Sequence, residues 1–232
     1  MKISAVIPVY NEAEVIDEFS SRLVHSMQEM GVDYEAIFVV EGQDETRQKL
    51  LELSVHNSRV KVEYSEKRLG LGKALKKGLG LVDPNSDYVL TMDADLNHHP
   101  EEIKDLVKAS KNVDVVVGCR SRIKGLVSEL PIFKRMISAC TNWILKKAFS
   151  VPSTDVTSGY RLYSTRTIKT IRDELRGKNF EVTAEILIRA KKKGLSIVEV
   201  PITFTRRPRG TSKLSFLRSG LGYLILLVRL RF

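Results

Sequence analysis

The chain has 232 residues, 43% of them hydrophobic and 28% charged, with a formal net charge of +10, so it is a globular chain long enough for one large or two small domains. Cys119 and Cys140 show no metal-ligand spacing and read as free thiols in a reducing compartment. No apolar run approaches the roughly 18 residues of a transmembrane helix, and the apolar run at residues 3–9 is too short for a signal peptide.

The positive charge is localised. Residues 120–149 hold seven Lys/Arg against one acid, and residues 206–232 hold seven against none, so the rest of the chain is slightly acidic. Such clusters imply an anionic partner: phosphates, nucleic acid or an anionic membrane. Lys146-Lys147 and the run from Lys191 to Lys193 read as solvated surface charge.

In chain order, residues 3–9 are almost continuously apolar, as a strand covered on both faces is. Asn11, with Glu14 three residues on, reads as a capping box. Val15, Phe19, Leu23 and Met27 then mark an amphipathic helix closed by Gly31. A second strand is expected over 35–40, a second helix over 43–53 and a third strand over 60–64. Leu69-Gly-Leu-Gly-Lys73 leads into a helix reaching about residue 81. Its glycines lack the P-loop spacing, so it reads as a turn packed near the ligand site. Residues 87–92 form a fourth strand, 100–110 a helix opened by Pro100, Glu101 and Glu102, and 113–118 a fifth strand. This alternation implies a doubly wound, mostly parallel α/β sheet with right-handed crossovers.

The rhythm then changes. A basic loop over 119–130 precedes a helix over 131–149, a short strand over 160–163 and a helix over 183–193 ended by Gly194. A strand over 195–204, a basic loop over 206–213 and a last helix over 214–232 complete the chain. With no repeat, linker or low-complexity segment, the reading is one domain over 1–213 followed by an amphipathic C-terminal helix over 214–232.

The chemistry concentrates after the fourth strand, in Asp93, Ala94, Asp95, Leu96, Asn97, His98 and His99. Carboxylates at the carboxyl end of such a strand stand where open α/β sheets bind ligands. Strand alternation points Asp93 and Asp95 the same way. Two hard oxygen donors suit Mg²⁺ or Mn²⁺, which also take substrate phosphates as ligands. The alternative is a surface loop whose acids cap the next helix. Neighbouring His98 and His99 face apart, so at most one stands near an ion. Glu181 reads as part of a solvated helix face, and Trp143, among Ile, Leu and Phe, as packing.

Seven stretches in order carry a resemblance: Val6-Ile-Pro-Val-Tyr-Asn-Glu-Ala, Arg68-Leu-Gly-Leu-Gly-Lys-Ala, Met92-Asp-Ala-Asp-Leu-Asn-His, Gly118-Cys-Arg-Ser-Arg, Thr157-Ser-Gly-Tyr-Arg-Leu-Tyr, Glu199-Val-Pro-Ile-Thr-Phe and Gly210-Thr-Ser-Lys-Leu-Ser. Together they resemble the family 2 glycosyltransferases of the GT-A fold and, more narrowly, the dolichyl-phosphate mannose synthases. The resemblance implies a donor pocket lined by Pro8, Tyr10, Glu12, Val39, Glu41 and Ala94, with Asp93 holding the sugar-nucleotide. It implies Asp95 and Asn97 as ligands of Mg²⁺ or Mn²⁺, Asn97 standing where the family has the longer Gln. Arg120, Arg206 and Lys213 match positions that contact the diphosphate or donor sugar, and planar Arg forks suit phosphate oxygens. Asp93, Asp95, Arg120 and Arg206 are then the catalytic set. Lys134, Arg135 and Ser138 take the acceptor phosphate, Lys134 in place of the family's Arg. Asp155 supports the donor pocket, and Glu185 lines the site. The family's second strand ends in Asp-Asp-Gly-Ser, whereas here Val40-Glu41-Gly42-Gln43 stands. Glu41 can replace the base-reading Asp and Val40 cannot replace its neighbour, which leaves the base open.

On this resemblance the chain is an inverting, metal-dependent transferase that moves a hexose, mannose from GDP-mannose, to dolichyl or another polyprenyl phosphate. A UDP-glucose-dependent polyprenyl-phosphate glycosyltransferase and a degenerate transferase that binds donor without turnover are the alternatives. A sugar nucleotidyltransferase is disfavoured by Pro-Val-Tyr-Asn-Glu in place of a Gly-rich loop. A nucleic-acid-binding module is disfavoured by the 7% aromatic share and the lack of an aromatic-basic platform. A phosphate monoester acceptor needs no general base, being largely dianionic at pH 7. The Glu-Asp pair and Gln-x-x-Arg-Trp of hydroxyl-using members are not found. The last helix carries Leu217, Leu221, Leu224 and Val228 in one stripe, to pack on the core or to lie in a membrane interface. The resemblance favours the interface and implies a peripheral protein on the cytoplasmic face of a membrane.

Overall fold

The computed structural model describes residues 1–120, 132–205 and 216–231, without the side chains of 132–135 and 216–219. The apolar runs become strands and the stripes between them become helices. In order these are β1 (Lys2–Tyr10), α1 (Ile16–Glu29), β2 (Asp33–Glu41), α2 (Thr46–His56), β3 (Val60–Ser65), α3 (Leu71–Gly80), β4 (Tyr88–Thr91), α4 (Ile103–Ala109) and β5 (Val115–Cys119). Then come α5 (Ile132–Phe149), β6 (Arg161–Ser164), α6 (Thr165–Ile171), α7 (Glu181–Lys192), β7 (Ile197–Pro201) and α8 (Phe216–Arg231).

The seven strands lie in the order β3-β2-β1-β4-β6-β5-β7. β1 pairs parallel with β2 on one side and β4 on the other, so the winding reverses between β1 and β4 and opens a crevice at their carboxyl ends. β6 is antiparallel to both its neighbours and β7 is parallel to β5, giving a mostly parallel sheet. Pro8 fits this central strand because the pairing with β4 ends at Val6 opposite Thr91.

Each face of the sheet has its own core. On one, Val15, Phe19, Leu23 and Met27 of the α1 segment are buried, and Phe19 meets Phe38 edge-on with ring centres 6.5 Å apart. On the other, Ala74, Leu75 and Leu79 of α3 join Val6 and Val39 of the strands and Val182, Ile186 and Leu187 of α7. α3 approaches the segment before α7 so closely that a Cβ on Gly72 would overlap the Gly177 carbonyl. Leu226 and Leu230 of α8 belong to this second core. Among the described residues, no helix is long and apolar enough to cross a membrane.

The expected capping box does not form. α1 starts at Ile16, later than expected, and its first turn has no side-chain cap. Asn11 instead takes a left-handed backbone (φ 51°), and its Oδ1 accepts from the Gln43 amide at 3.2 Å. Asn tolerates that conformation, and tying the loops after β1 and β2 together outweighs a helix cap. Gly42, at φ 107°, must lack a side chain here, because a Cβ would overlap the Asn11 carboxamide.

Candidate functional site

β4 ends at Thr91, whose hydroxyl donates to the Gly159 carbonyl at 2.8 Å. Asp93, Ala94 and Asp95 therefore lie in the loop beyond the strand, and strand alternation does not govern them. Asp93 remains 42% exposed beside Gly159, while Ala94 and Asp95 are buried. Leu96 turns left-handed (φ 59°), so the Asn97 amide and Nδ2 donate to Asp95 at 3.1 and 2.9 Å.

Asn97 Oδ1 is buried and, among the described residues, meets no donor. Among those residues no three His, Cys, Asp or Glu gather as a metal cage. Asp93, Asp95 and the orphaned Asn97 oxygen nevertheless form a hard-donor set of the kind Mg²⁺ or Mn²⁺ takes when substrate phosphates and water complete its shell. The residues fit such an ion.

His98 and His99 do part company. His98 is buried against the rings of Tyr160 and Phe204, its Nδ1 4.0 Å from Asp93 Oδ2. Burial pushes its pKa down to about 4, so it is neutral. His99 turns outward to Arg22 and Thr205.

Arg120 follows β5 and is not a loose phosphate hook. Its amide, Nε and Nη2 all donate to Asp155, at 3.0, 2.8 and 2.6 Å, and Nη2 also donates to Thr157 Oγ1 at 3.0 Å. Burial opposes charge on both partners. The ion pair outweighs it, holding Arg120 firmly protonated and Asp155 below the usual carboxylate range. Asp155 is fixed in turn: its amide donates to Ser153 Oγ and to Glu199 of β7.

On the other lip of the crevice, Pro8 and Tyr10 of β1 are half-buried with Val9 buried between them. The Glu12 amide donates to Thr46 Oγ1 at 2.9 Å. Val39, the register partner of Pro8, lies on the same face of the sheet as Pro8 and is fully buried against Val6 and Gly78. Glu41 is buried and its carboxylate is already engaged, accepting from the Leu69 and Gly70 amides at 2.6 and 3.2 Å. It anchors the loop before α3 instead of standing free as a base reader.

Of the expected acceptor residues, Ser138 is exposed on α5, and the side chains of Lys134 and Arg135 lie outside the described residues. Arg206 and Lys213 lie outside them entirely. One turn beyond Ser138, Asn142 accepts from the Thr157 amide at 3.1 Å, so α5 is tied to the segment that holds Arg120. Asn142 gave no sequence signal, whereas Thr157 and Glu199 stood inside the matched stretches. Glu181 and Glu185 are both buried. Glu181 accepts from the Lys178 and Asn179 amides, and Glu185 accepts from the Gly177 amide and pairs with Arg189 and Arg229. Glu181 is thus no solvated face, and Glu185 clamps α7 to α8 instead of lining the site. Trp143, expected in packing, is 62% exposed.

A doubly wound sheet with hard oxygen donors and a fixed arginine at its switch-point crevice is an arrangement found in glycosyltransferases of the GT-A fold. Residues 4–181 match the model of Glycosyl transferase family 2, and the chain belongs to that family. It is 36% identical over 220 residues to a dolichol-phosphate mannosyltransferase of Pyrococcus furiosus, covering 92% of this chain and 59% of that protein. It is 31% identical to an undecaprenyl-phosphate mannosyltransferase of Micrococcus luteus, covering 93% of this chain and 88% of that one. The chain thus spans under two thirds of the Pyrococcus relative. Among solved structures, mannosyl-3-phosphoglycerate synthase from Rubrobacter xylanophilus superposes with a TM-score of 0.68 at 17% identity, covering 100% of this chain and 74% of the other. A mannosyltransferase from Pyrobaculum calidifontis, solved with GDP-mannose and Mn²⁺, gives 0.61 at 14% identity, covering 98% and 64%. These two likenesses concern the fold.

Proposed function

We propose that this chain transfers mannose from GDP-mannose, with inversion, to a polyprenyl phosphate. The observation that carries the reading is the donor set of Asp93, Asp95 and Asn97 Oδ1, unpartnered among the described residues, at the switch-point crevice, with Arg120 among the charges around Asp93. The lipid-phosphate mannosyltransferase names of the two curated relatives support the sugar and the acceptor.

An acceptor phosphate oxygen bonds to the anomeric carbon as the bond to the diphosphate oxygen breaks, and the electron pair leaves with the nucleoside diphosphate. The monoester is largely dianionic at pH 7, so no side chain need remove a proton. Asp93, Asp95 and Asn97 would hold Mg²⁺ or Mn²⁺, which when bound neutralises charge on the departing diphosphate. Arg120, kept charged and rigid by Asp155, adds positive charge that needs no reorganisation, and Arg206 and Lys213 add to it. Lys134, Arg135 and Ser138 hold the acceptor, on the helix that Asn142 ties to Thr157.

A lipid acceptor would bring the protein to a membrane surface. α8 buries Leu226 and Leu230 yet exposes Leu221, Leu224, Ile225 and Val228, and α5 packed beside it exposes Met136 and Trp143. Neither helix contains an acidic residue. Apolar stripes with only basic charge fit an anionic bilayer interface. Two cysteines outside any disulfide fit its cytoplasmic face.

The test compares acceptors. With GDP-mannose and Mn²⁺, a polyprenyl phosphate should accept sugar and the matching polyprenol should not. Lys134→Ala with Arg135→Ala should raise the acceptor KM far more than the donor KM. Transfer to a free oligosaccharide and none to the lipid phosphate would overturn the acceptor; use of UDP-glucose alone would overturn the donor.

A further inference from the structure

We propose that Arg68 reads the base of the donor nucleotide, and that this base is guanine. The inference rests on the reading of the crevice as a nucleotide pocket.

Tyr10, the last residue of β1, stands half-buried on the lip of the crevice. The guanidinium carbon of Arg68 lies 4.2 Å from the centre of its ring. Arg68 is exposed, and among the described residues it forms no ion pair. A stacked guanidinium uses its face and keeps its in-plane N–H groups for a ligand.

The loop fixes this placement. The two residues after Arg68, Leu69 and Gly70, give their amides to the Glu41 carboxylate. Gly70 then opens α3, its carbonyl accepting from the Lys73 and Ala74 amides. Glu41 is the register partner of Tyr10 across β1 and β2. The Glu41 carboxylate therefore holds the loop that sets Arg68 over Tyr10. Val40 beside it is buried and apolar. The guanidinium of Arg68 presents polar groups on this aromatic lip.

A planar fork of donors recognises two neighbouring acceptors. Guanine presents O6 and N7 side by side, whereas adenine sets the N6 donor beside N7. Uracil places an N–H between its two carbonyl groups. Arg68 is thus matched to guanine and mismatched to the other two.

The experiment is calorimetric binding of GDP, UDP and ADP, with Mn²⁺ present, to the full chain and to Arg68→Ala, Arg68→Lys and Glu41→Gln. Wild type should prefer GDP. Arg68→Ala should weaken GDP by on the order of tenfold and leave UDP unchanged. Arg68→Lys should not restore GDP, because the ammonium lacks the fork. Glu41→Gln should weaken GDP selectively by freeing the loop. An equal loss for GDP and UDP would make Arg68 a general phosphate contact and overturn the proposal, as would no loss at all or a wild-type preference for UDP. Wild type that binds none of the three would instead overturn the nucleotide pocket itself. Arg68 is on the surface, so its variants should fold, and matching melting curves check this.

Discussion

Asp155 supplies Arg120 with its counter-charge and its orientation. Asp155→Asn keeps the shape but leaves the partly buried guanidinium uncompensated, which should cost on the order of 3 kcal/mol. The sign with pH follows from the lowered folded-state pKa of Asp155, which Arg120 imposes against burial. Its contribution is complete above the unfolded value near 3.9 and is lost as pH falls through the lower folded value. The melting-temperature gap between wild type and variant should therefore be steady near neutrality and close below about pH 4. A gap unchanged under acid would show that Asp155 acts by packing. The metal set gives a second expectation. Asp95→Ala should abolish Mn²⁺ binding by titration calorimetry and lower transfer roughly hundredfold or more, and EDTA should do the same to wild type. Wild-type turnover indifferent to EDTA would remove the ion from the site. The acids after β4 were legible because a buried run ending in Asp-x-Asp has few readings. The engagement of Glu41 was not, because the tertiary partner of a carboxylate is absent from the local pattern.

At the scale of elements, α5 and α8 carry the membrane expectation. Trp143 on α5 and Leu224 on α8 are large, exposed and unsupported by the core. Trp143→Ser with Leu224→Ser should reduce flotation with vesicles containing anionic lipid, leave GDP binding unchanged and barely alter the melting temperature. Undiminished flotation would show that these stripes meet something other than a bilayer. The C-terminal helix was read as either packed or interfacial. It is apolar on both sides, so it packs through Leu226 and Leu230 and exposes Leu221 and Val228 as well. Helix starts were less legible: the Asn11 and Glu14 pattern of a cap was overridden by the contact between Asn11 and the Gln43 amide. α6 went unforeseen, although Ser164 caps it by accepting from the Thr167 amide at 3.2 Å.

For the whole molecule, the alternation of strands and helices up to β5 was enough to give a doubly wound sheet, because short crossovers of one hand admit few orders. The insertion of β6 between β4 and β5 was beyond that reasoning. A strand that returns antiparallel after a long excursion has no local signature, yet Arg161, Leu162 and Tyr163 are buried in the centre of the sheet. That strand also brings Gly159 against Asp93 and the Asp155 segment against Arg120, so the site is completed by the part of the chain whose course was hardest to foresee. The account as a whole turns on the product. The chain is incubated with GDP-mannose, Mn²⁺ and undecaprenyl phosphate, and the lipid fraction is weighed by mass spectrometry. A lipid bearing one added hexose on its phosphate, formed by wild type and absent with Asp95→Ala, is the predicted result. An unmodified lipid phosphate, with the mannose still on GDP or carried to another acceptor, would contradict it.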